Sequence, residues 1–189
     1  MSSKVKDFES KWNSNPMLKP FIEKVVVNIS VGKGGEELEK ARNVLQEMTG
    51  CSPVSVRAKA SVKEWGIRAG QNIATKVTLR GENAVKFIKR ALVISDNRIL
   101  RHSFDDKGNF SLGVDEHIKM PDVKYNPEYG IFGFNVSVRI VRPGYRIKHR
   151  KKDRRNIGSD HYVSRDEAIY FVTTVLGAEV VDEMVERYY

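Results

Sequence analysis

The chain has 189 residues, 40% of them hydrophobic, enough for a core of ordinary size without disulfide or metal support, so a single domain over residues 1–189 is expected. Lys and Arg number 33 against 24 Asp and Glu, and the resulting +9 favours polyanionic partners over cationic ones. The lone cysteine, Cys51, excludes an internal disulfide and a Cys-rich zinc site; no apolar run approaches the roughly 20 residues that span a bilayer, and the opening MSSKVKDFES has no apolar signal core, so a soluble intracellular protein with no membrane partner is expected.

Val5, Phe8 and Trp12 fall at helical spacing before Asn15-Pro16, which predicts a short helix in need of a surface to lie on. Val25, Val27, Ile29 and Val31 then alternate with Val26, Asn28 and Ser30, the period of a strand with one buried face. From Val31 the chain runs through Gly-Lys-Gly-Gly-Glu into a helix. That run looks like a phosphate cradle, but the P-loop spacing and the dinucleotide fingerprint are both missing. A tight strand-to-helix turn is therefore the main reading, and a phosphate-binding enzyme using Gly32 to Gly35 the minor one. Glu36 to Met48 is amphipathic through Leu38, Ala41, Val44, Leu45 and Met48, with Gly50 as its stop.

In a second strand Val54, Val56 and Ala58 oppose Ser55, Arg57 and Lys59, with the polar set expected outward. Residues 57–71 include a long connection, with Lys59 at its base and Lys63, Trp65 and Arg68 within SVKEWGIRAG. A projecting basic loop is expected, whose indole either stacks on a base or ribose while the cations meet phosphate, or tucks back onto the domain. The third strand sets Ile73, Thr75, Val77 and Leu79 against Asn72, Ala74, Lys76, Thr78 and Arg80. Glu82 to Ile94 buries Ala84, Ile88, Ala91 and Leu92 as a helix, leaving Lys86, Lys89 and Arg90 outside.

Two later strands oppose Phe110, Leu112 and Val114 to Ser111 and Gly113, and Phe134, Val136, Val138 and Ile140 to Asn135, Ser137 and Arg139. Pro143-Gly144 then has turn chemistry, so RPGYRIKHRKKDRR is expected to leave the sheet as a basic arm over residues 142–158. Too charged to collapse on itself, it would order on a polyanion; a localisation signal or a solvated loop is the alternative. Ser164 and Glu167 predict a capping box for a last helix, with Ala168, Phe171, Val172, Val175 and Leu176 on one face and Gly177 at its end. Glu179, Asp182, Glu183 and Glu186 make the following stretch acidic.

One-sided alternation in five strands beside four helices predicts an α+β two-layer domain, a mostly antiparallel five-stranded sheet with helices on one face, plus the projecting loop and the basic arm. The charge is concentrated. Arg57 to Arg90 holds nine Lys/Arg and two acids, and Arg142 to Arg155 holds eight against Asp153, so two segments of +7 sit on a remainder of −5. The outward positions of the five strands hold five Lys/Arg and neither Asp nor Glu. Cations, amides and hydroxyls on a flat surface suit phosphate oxygens and ribose 2′-hydroxyls, although a solvated sheet face explains the same composition. His102, His117, His149 and His161 are scattered without ligand spacing and Cys51 has no positioned base, so no catalytic pair, metal site or cofactor is expected.

Three stretches, NPMLKPFIEKVVVNISVGKG, RAKASVKEWGIRAGQNIATKVTLRG and YGIFGFNVSVRIVRPGYR with its basic arm, lie in order along the chain. Collinearly from Asn15 to about Val180, the chain resembles the universal large-subunit ribosomal protein family that binds 5S rRNA, ribosomal protein L-five, in its archaeal branch. The resemblance implies a non-enzymatic, cofactor-free part of the central protuberance of the cytoplasmic ribosome, monomeric outside it. It implies contacts with 5S rRNA, 23S rRNA, neighbouring large-subunit proteins and, through the loop, the peptidyl-site tRNA.

By motif, Asn28 in VVVNISVG and Thr78 in KVTLRG match positions that the family uses on 5S rRNA, with Ser30, Arg57, Lys76 and Arg80 beside them. Lys59, Lys63, Trp65 and Arg68 match the tRNA-proximal loop. An rRNA role is implied for the arm through Arg142, Tyr145, Arg146, Lys148, Arg150, Lys151, Lys152, Arg154 and Arg155. Where the family often has Gln after Gly50, this chain has Cys51, so an RNA hydrogen bond made by that Gln does not carry over by motif. A free-standing RNA-binding regulator is the alternative function.

Overall fold

A computed structural model describes residues 2–121, 123 and 126–182; the side chain of Val5, and Glu183 and Glu186 of the acidic stretch, lie outside the described set. The elements are α1 (Ser2–Ser14), β1 (Phe21–Ser30), α2 (Glu36–Thr49), β2 (Val54–Arg57), β3 (Asn72–Leu79), α3 (Gly81–Ile94), β4 (Arg98–Leu100), β5 (Phe110–Val114), β6 (Phe134–Val141), α4 (Arg146–His149), α5 (Arg165–Leu176) and β7 (Glu179–Val181). Five strands form one sheet in the order β2-β3-β1-β6-β5, while β4 and β7 pair separately and in parallel. The α+β class is the expected one. The β4–β7 pair and α4 are additions, because three or four residues are too few to show a period. By packing, the chain groups into two compact units, the first Met1–Lys24, Ser95–Ser111 and Val138–Tyr189, the second Val25–Ile94 and Leu112–Ser137.

In the second unit β1 and β3 are antiparallel, with Val25 opposite Leu79, Val27 opposite Val77 and Ile29 opposite Thr75, all buried. A slip of one residue would turn that whole row to solvent, so burial itself holds the register. Leu38, Ala41, Val44, Leu45 and Met48 of α2 are buried, and α2 ends as expected at Gly50, whose φ of 66° places it in the left-handed region. Ala84, Phe87, Ile88, Ala91 and Leu92 are the buried residues of α3. Arg90, expected outside, is only half-exposed: its Nη2 donates to the Pro121 carbonyl at 2.8 Å.

The expected phase of β2 is corrected by its ladder. Val54 lies opposite Lys76 and Val56 opposite Ala74, so both valines share the face of Lys76, while Ser55 lies opposite the fully buried Thr75. The register shifts between Val56 and Arg57, leaving Arg57 opposite Asn72 with both exposed. Four residues cannot choose a face by alternation alone; hydrogen bonding to β3 chooses it.

After β5, the backbone N–H of His117 donates to the Phe132 carbonyl at 2.9 Å, and its ring Nδ1 accepts the Phe132 N–H at 3.2 Å. The ring is buried, and desolvation holds its pKa below the usual 6.5. Below about pH 6.5 the unfolded chain takes up a proton that the folded ring refuses, so stability falls as pH drops through that value. The free energy of unfolding from urea titrations is expected to decline from pH 7.5 to 5.5, by at most about 1.4 kcal/mol per pH unit for this one group. His117→Gln should flatten the decline; an equally steep profile in that variant would assign it elsewhere.

In the first unit α1 lies on α5, the surface its apolar stripe requires. Trp12 packs on Tyr170 and edge-on to Phe171, with ring centroids at 5.5 and 6.4 Å, and Phe8 stacks on Tyr170 at 6.2 Å. Only half of the expected capping box forms. Ser164 Oγ accepts the Glu167 N–H at 3.3 Å, but the Glu167 carboxylate turns inward, accepting from Trp12 Nε1 at 2.9 Å and from Arg142 Nη2 at 2.5 Å. The expected acid-free outward face also needs correction here. Alternation in β1 breaks where Ile22 and Val25 are both buried with Glu23 and Lys24 half-exposed between them, and Glu23 meets Arg139 of β6 at 3.0 Å.

Candidate nucleic-acid interface

The second unit presents a short polar ladder on the face opposite its core. Asn28 lies opposite Lys76, Val26 opposite Thr78 and Ser30 opposite Ala74. Lys76, Thr78 and Ser30 are exposed, Asn28 is half-exposed, and Arg80 is exposed just beyond the end of β3. Directly opposed residues have Cβ atoms about 4.5–5.5 Å apart, so Asn28 and Lys76 can engage one nucleotide. Asn28 Nδ2 donates to Ser30 Oγ at 2.9 Å, which orients the amide and leaves its carbonyl oxygen and the Ser30 hydroxyl hydrogen for an outside partner. Asn135 and Ser137 of β6 are exposed as well. None of these positions carries an acid.

The connection from β2 to β3 is an ordered hairpin. Ala58 N–H donates to Gln71 O at 2.8 Å, Gly70 N–H returns to Ala58 O at 2.9 Å, and Val62 and Ile67 exchange both backbone bonds farther out. Ser61 Oγ accepts the Ala69 N–H at 2.9 Å and Gln71 Oε1 the Arg68 N–H at 3.1 Å, bracing the returning side. A single 3-10 turn, Lys63–Trp65, forms the tip and ends at Gly66, whose φ of 66° favours glycine. Trp65 is 72% exposed, so the indole does not tuck back; Lys59, Lys63 and Arg68 are exposed with it. The tip therefore offers a flat apolar ring between cations, the combination that stacks on bases while neutralising phosphate.

The glycine turn before α2 is built differently from a phosphate cradle. The N–H groups of Val31 and Gly32 are both spent on the Ile73 carbonyl, at 3.1 and 3.0 Å. Glu36, Glu37 and Glu39 occupy the first turn of α2, so the positive end of the helix already faces carboxylates and would repel a phosphate. The expected strand-to-helix turn is what forms.

The arm divides. Two of its expected RNA contacts are interior residues. Arg142 is 9% exposed, with Nη1 donating to Asp160 O at 3.1 Å and Nη2 engaged by Glu167. Tyr145 is buried against the rings of His161 and Tyr162, both at 5.9 Å, and desolvation raises its pKa above the usual 10.0, so the hydroxyl stays neutral. His161 Nε2 also meets the Pro143 carbonyl at 2.8 Å. These contacts pin the start of the arm to the first unit. Beyond that anchor, α4 makes one turn and Arg150 Nε donates to Asp153 O at 2.8 Å. Arg146, Arg150, Lys151, Lys152, Arg154 and Arg155 are exposed and Lys148 half-exposed.

Sequence reasoning missed the partner of Arg142 although a signal was present. Glu167 immediately precedes Ala168 on the apolar side of α5, where an acid needs a cation or a strong donor.

Two family models match the chain: ribosomal protein L5 over residues 15–68, and the C-terminus of the same ribosomal family over residues 72–171. The chain is 48% identical over 166 residues to large ribosomal subunit protein uL5 of Pyrobaculum aerophilum, covering 88% of this chain and 93% of that one. It is 45% identical over 179 residues to uL5 of Aeropyrum pernix, covering 94% and 93% respectively. With uL5 of Methanococcus aeolicus it shares 42% identity over 180 residues, 94% of this chain and 99% of that one.

Proposed function

This chain belongs to the ribosomal protein L5 family, in its archaeal type, and from that premise we propose that it holds 5S rRNA on the outer strand face of its second unit. The coarser role follows from the family: a structural, non-enzymatic constituent of the large ribosomal subunit. The observation that carries the finer reading is the row formed by Asn28, Lys76 and Thr78 across the β1–β3 ladder, with Ser30, Arg57 and Arg80 around it. Lys76, Arg57 and Arg80 supply phosphate contacts, while Asn28, Ser30 and Thr78 supply donors and acceptors for ribose 2′-hydroxyls. Affinity then comes from the cations and orientation from the neutral polar groups.

In the same proposal the hairpin tip, with Lys59, Lys63, Trp65 and Arg68, reaches the peptidyl-site tRNA. The exposed cations of the arm meet 23S rRNA, and neighbouring large-subunit proteins complete the surroundings. Arg142 and Tyr145 drop out as contacts and act as the arm's anchor.

Binding of isolated 5S rRNA tests the assignment. Asn28→Ala and Thr78→Ala are each expected to weaken it about threefold to tenfold, the worth of one hydrogen bond, with unchanged thermal unfolding. Reversing Lys63 and Arg68 together serves as the control and should leave 5S affinity within about twofold. Wild-type affinity in both alanine variants would remove the strand face from the 5S site.

A further inference from the structure

The corrected phase of β2 places an apolar group where the sequence placed a polar one. Val54 is 61% exposed on the same face as Lys76 and directly opposite it, and Lys76 is in turn opposite Asn28. Val54, Lys76 and Asn28 therefore form one row across β2, β3 and β1. The next row, Val56, Ala74 and Ser30, is also weakly polar toward β2, since Val56 is half-exposed and Ala74 is buried. Arg57, opposite Asn72 past the register shift, ends the strip with a cation.

A sheet edge is commonly blunted by charged side chains, and β2, the edge strand here, carries none at Val54 or Val56 on the face of Lys76. Resting on the 5S rRNA assignment above, the geometry points to Val54 as a further RNA-binding residue, packing its methyl groups on the apolar face of a ribose or base. Lys76 holds the neighbouring phosphate. The shallow groove of A-form RNA offers this mixture, with ribose C–H surface lying between 2′-hydroxyls and phosphates. Charge decides the occupant: the cations Lys76, Arg57 and Arg80 surround the strip, and none of the face positions of β1, β2 and β3 in this unit is acidic, so a polyanion fits.

An apolar contact adds affinity that salt does not screen, whereas a phosphate contact adds affinity that salt does. Val54→Ala is expected to weaken 5S rRNA binding about threefold to tenfold at every salt concentration, with the slope of log affinity against log salt unchanged. Val93→Ala, at an exposed valine of α3, is the matched control and should bind as wild type. Both variants should unfold at the wild-type temperature, because neither removes a buried group.

Wild-type affinity in Val54→Ala, while Lys76→Glu binds weakly, overturns the inference and leaves the 5S assignment standing. Wild-type affinity in both overturns the two together. A loss in Val54→Ala that appears only at low salt also overturns it, by making the effect electrostatic. So does intact RNA binding accompanied by loss of a protein neighbour from reconstituted large subunits, which would make β2 a strand-pairing edge.

Discussion

Arg142→Ala is expected to lower the free energy of unfolding by about 3–5 kcal/mol, the cost of stripping one partner from a buried ion pair. The Glu167 carboxylate is held between Trp12 Nε1 at 2.9 Å and Arg142 Nη2 at 2.5 Å, with Arg142 Nη1 passing on to the Asp160 carbonyl. Removing the guanidinium leaves a desolvated carboxylate with one neutral donor, Trp12 Nε1. Arg142→Lys should recover only part of the loss, since a single ammonium cannot reproduce the two-nitrogen fork. Pairing Arg142→Ala with Glu167→Gln should cost less than the two changes summed, because the buried charge disappears with its partner. Urea unfolding of the four proteins measures the cycle. A loss below about 1 kcal/mol for Arg142→Ala would return Arg142 to the set of surface cations. Lys151→Ala, on the exposed part of the arm, should change stability by less than about 0.5 kcal/mol.

Lys76→Glu is expected to have the largest effect on RNA, weakening 5S rRNA binding about tenfold to hundredfold, the range for losing a hydrogen bond to a charged group. Lys76 sits on the middle strand of three, with Asn28 on one side and Val54 on the other, so a phosphate placed there meets the whole row. Replacing it by a carboxylate both removes a neutralised phosphate and repels the strand. The slope of log affinity against log salt should fall by at least about 1, in contrast to the unchanged slope expected for Val54→Ala. Stability should move by less than about 1 kcal/mol, as the side chain is exposed. Filter binding across a salt series reads both quantities; an unaltered slope would mean that Lys76 faces no phosphate.

The proposed site separates into parts that could and could not be read in advance. Asn28, Thr78 and Lys76 were legible because β1 and β3 alternate over enough residues for the buried row to declare itself, and the exposed row follows by parity. The hairpin cations were legible as composition, while the exposure of Trp65 was not, since an indole beside Val62 and Ile67 could have found cover. Arg142 and Tyr145 were misplaced because the charge run in which they lie looks uniform. Their burial depends on Glu167, His161 and Tyr162, which lie 16 to 25 residues farther on.

The amino-acid pattern by itself determined the α+β class, the long helices, with glycine stops for α2 and α5, the two basic segments and the family. All of these are local periodicities or ordered motifs, which need no knowledge of what touches what. Tertiary structure alone decided which cations remain available. It paired Arg139 with Glu23, drew Arg142 under α5 and turned Val54 to the face of Lys76. The physical reason is that a charge or a short strand has no preferred environment of its own. Desolvation and hydrogen-bond partners from distant parts of the chain assign it one, so the overall +9 is divided into structural and free charge only when the chain packs.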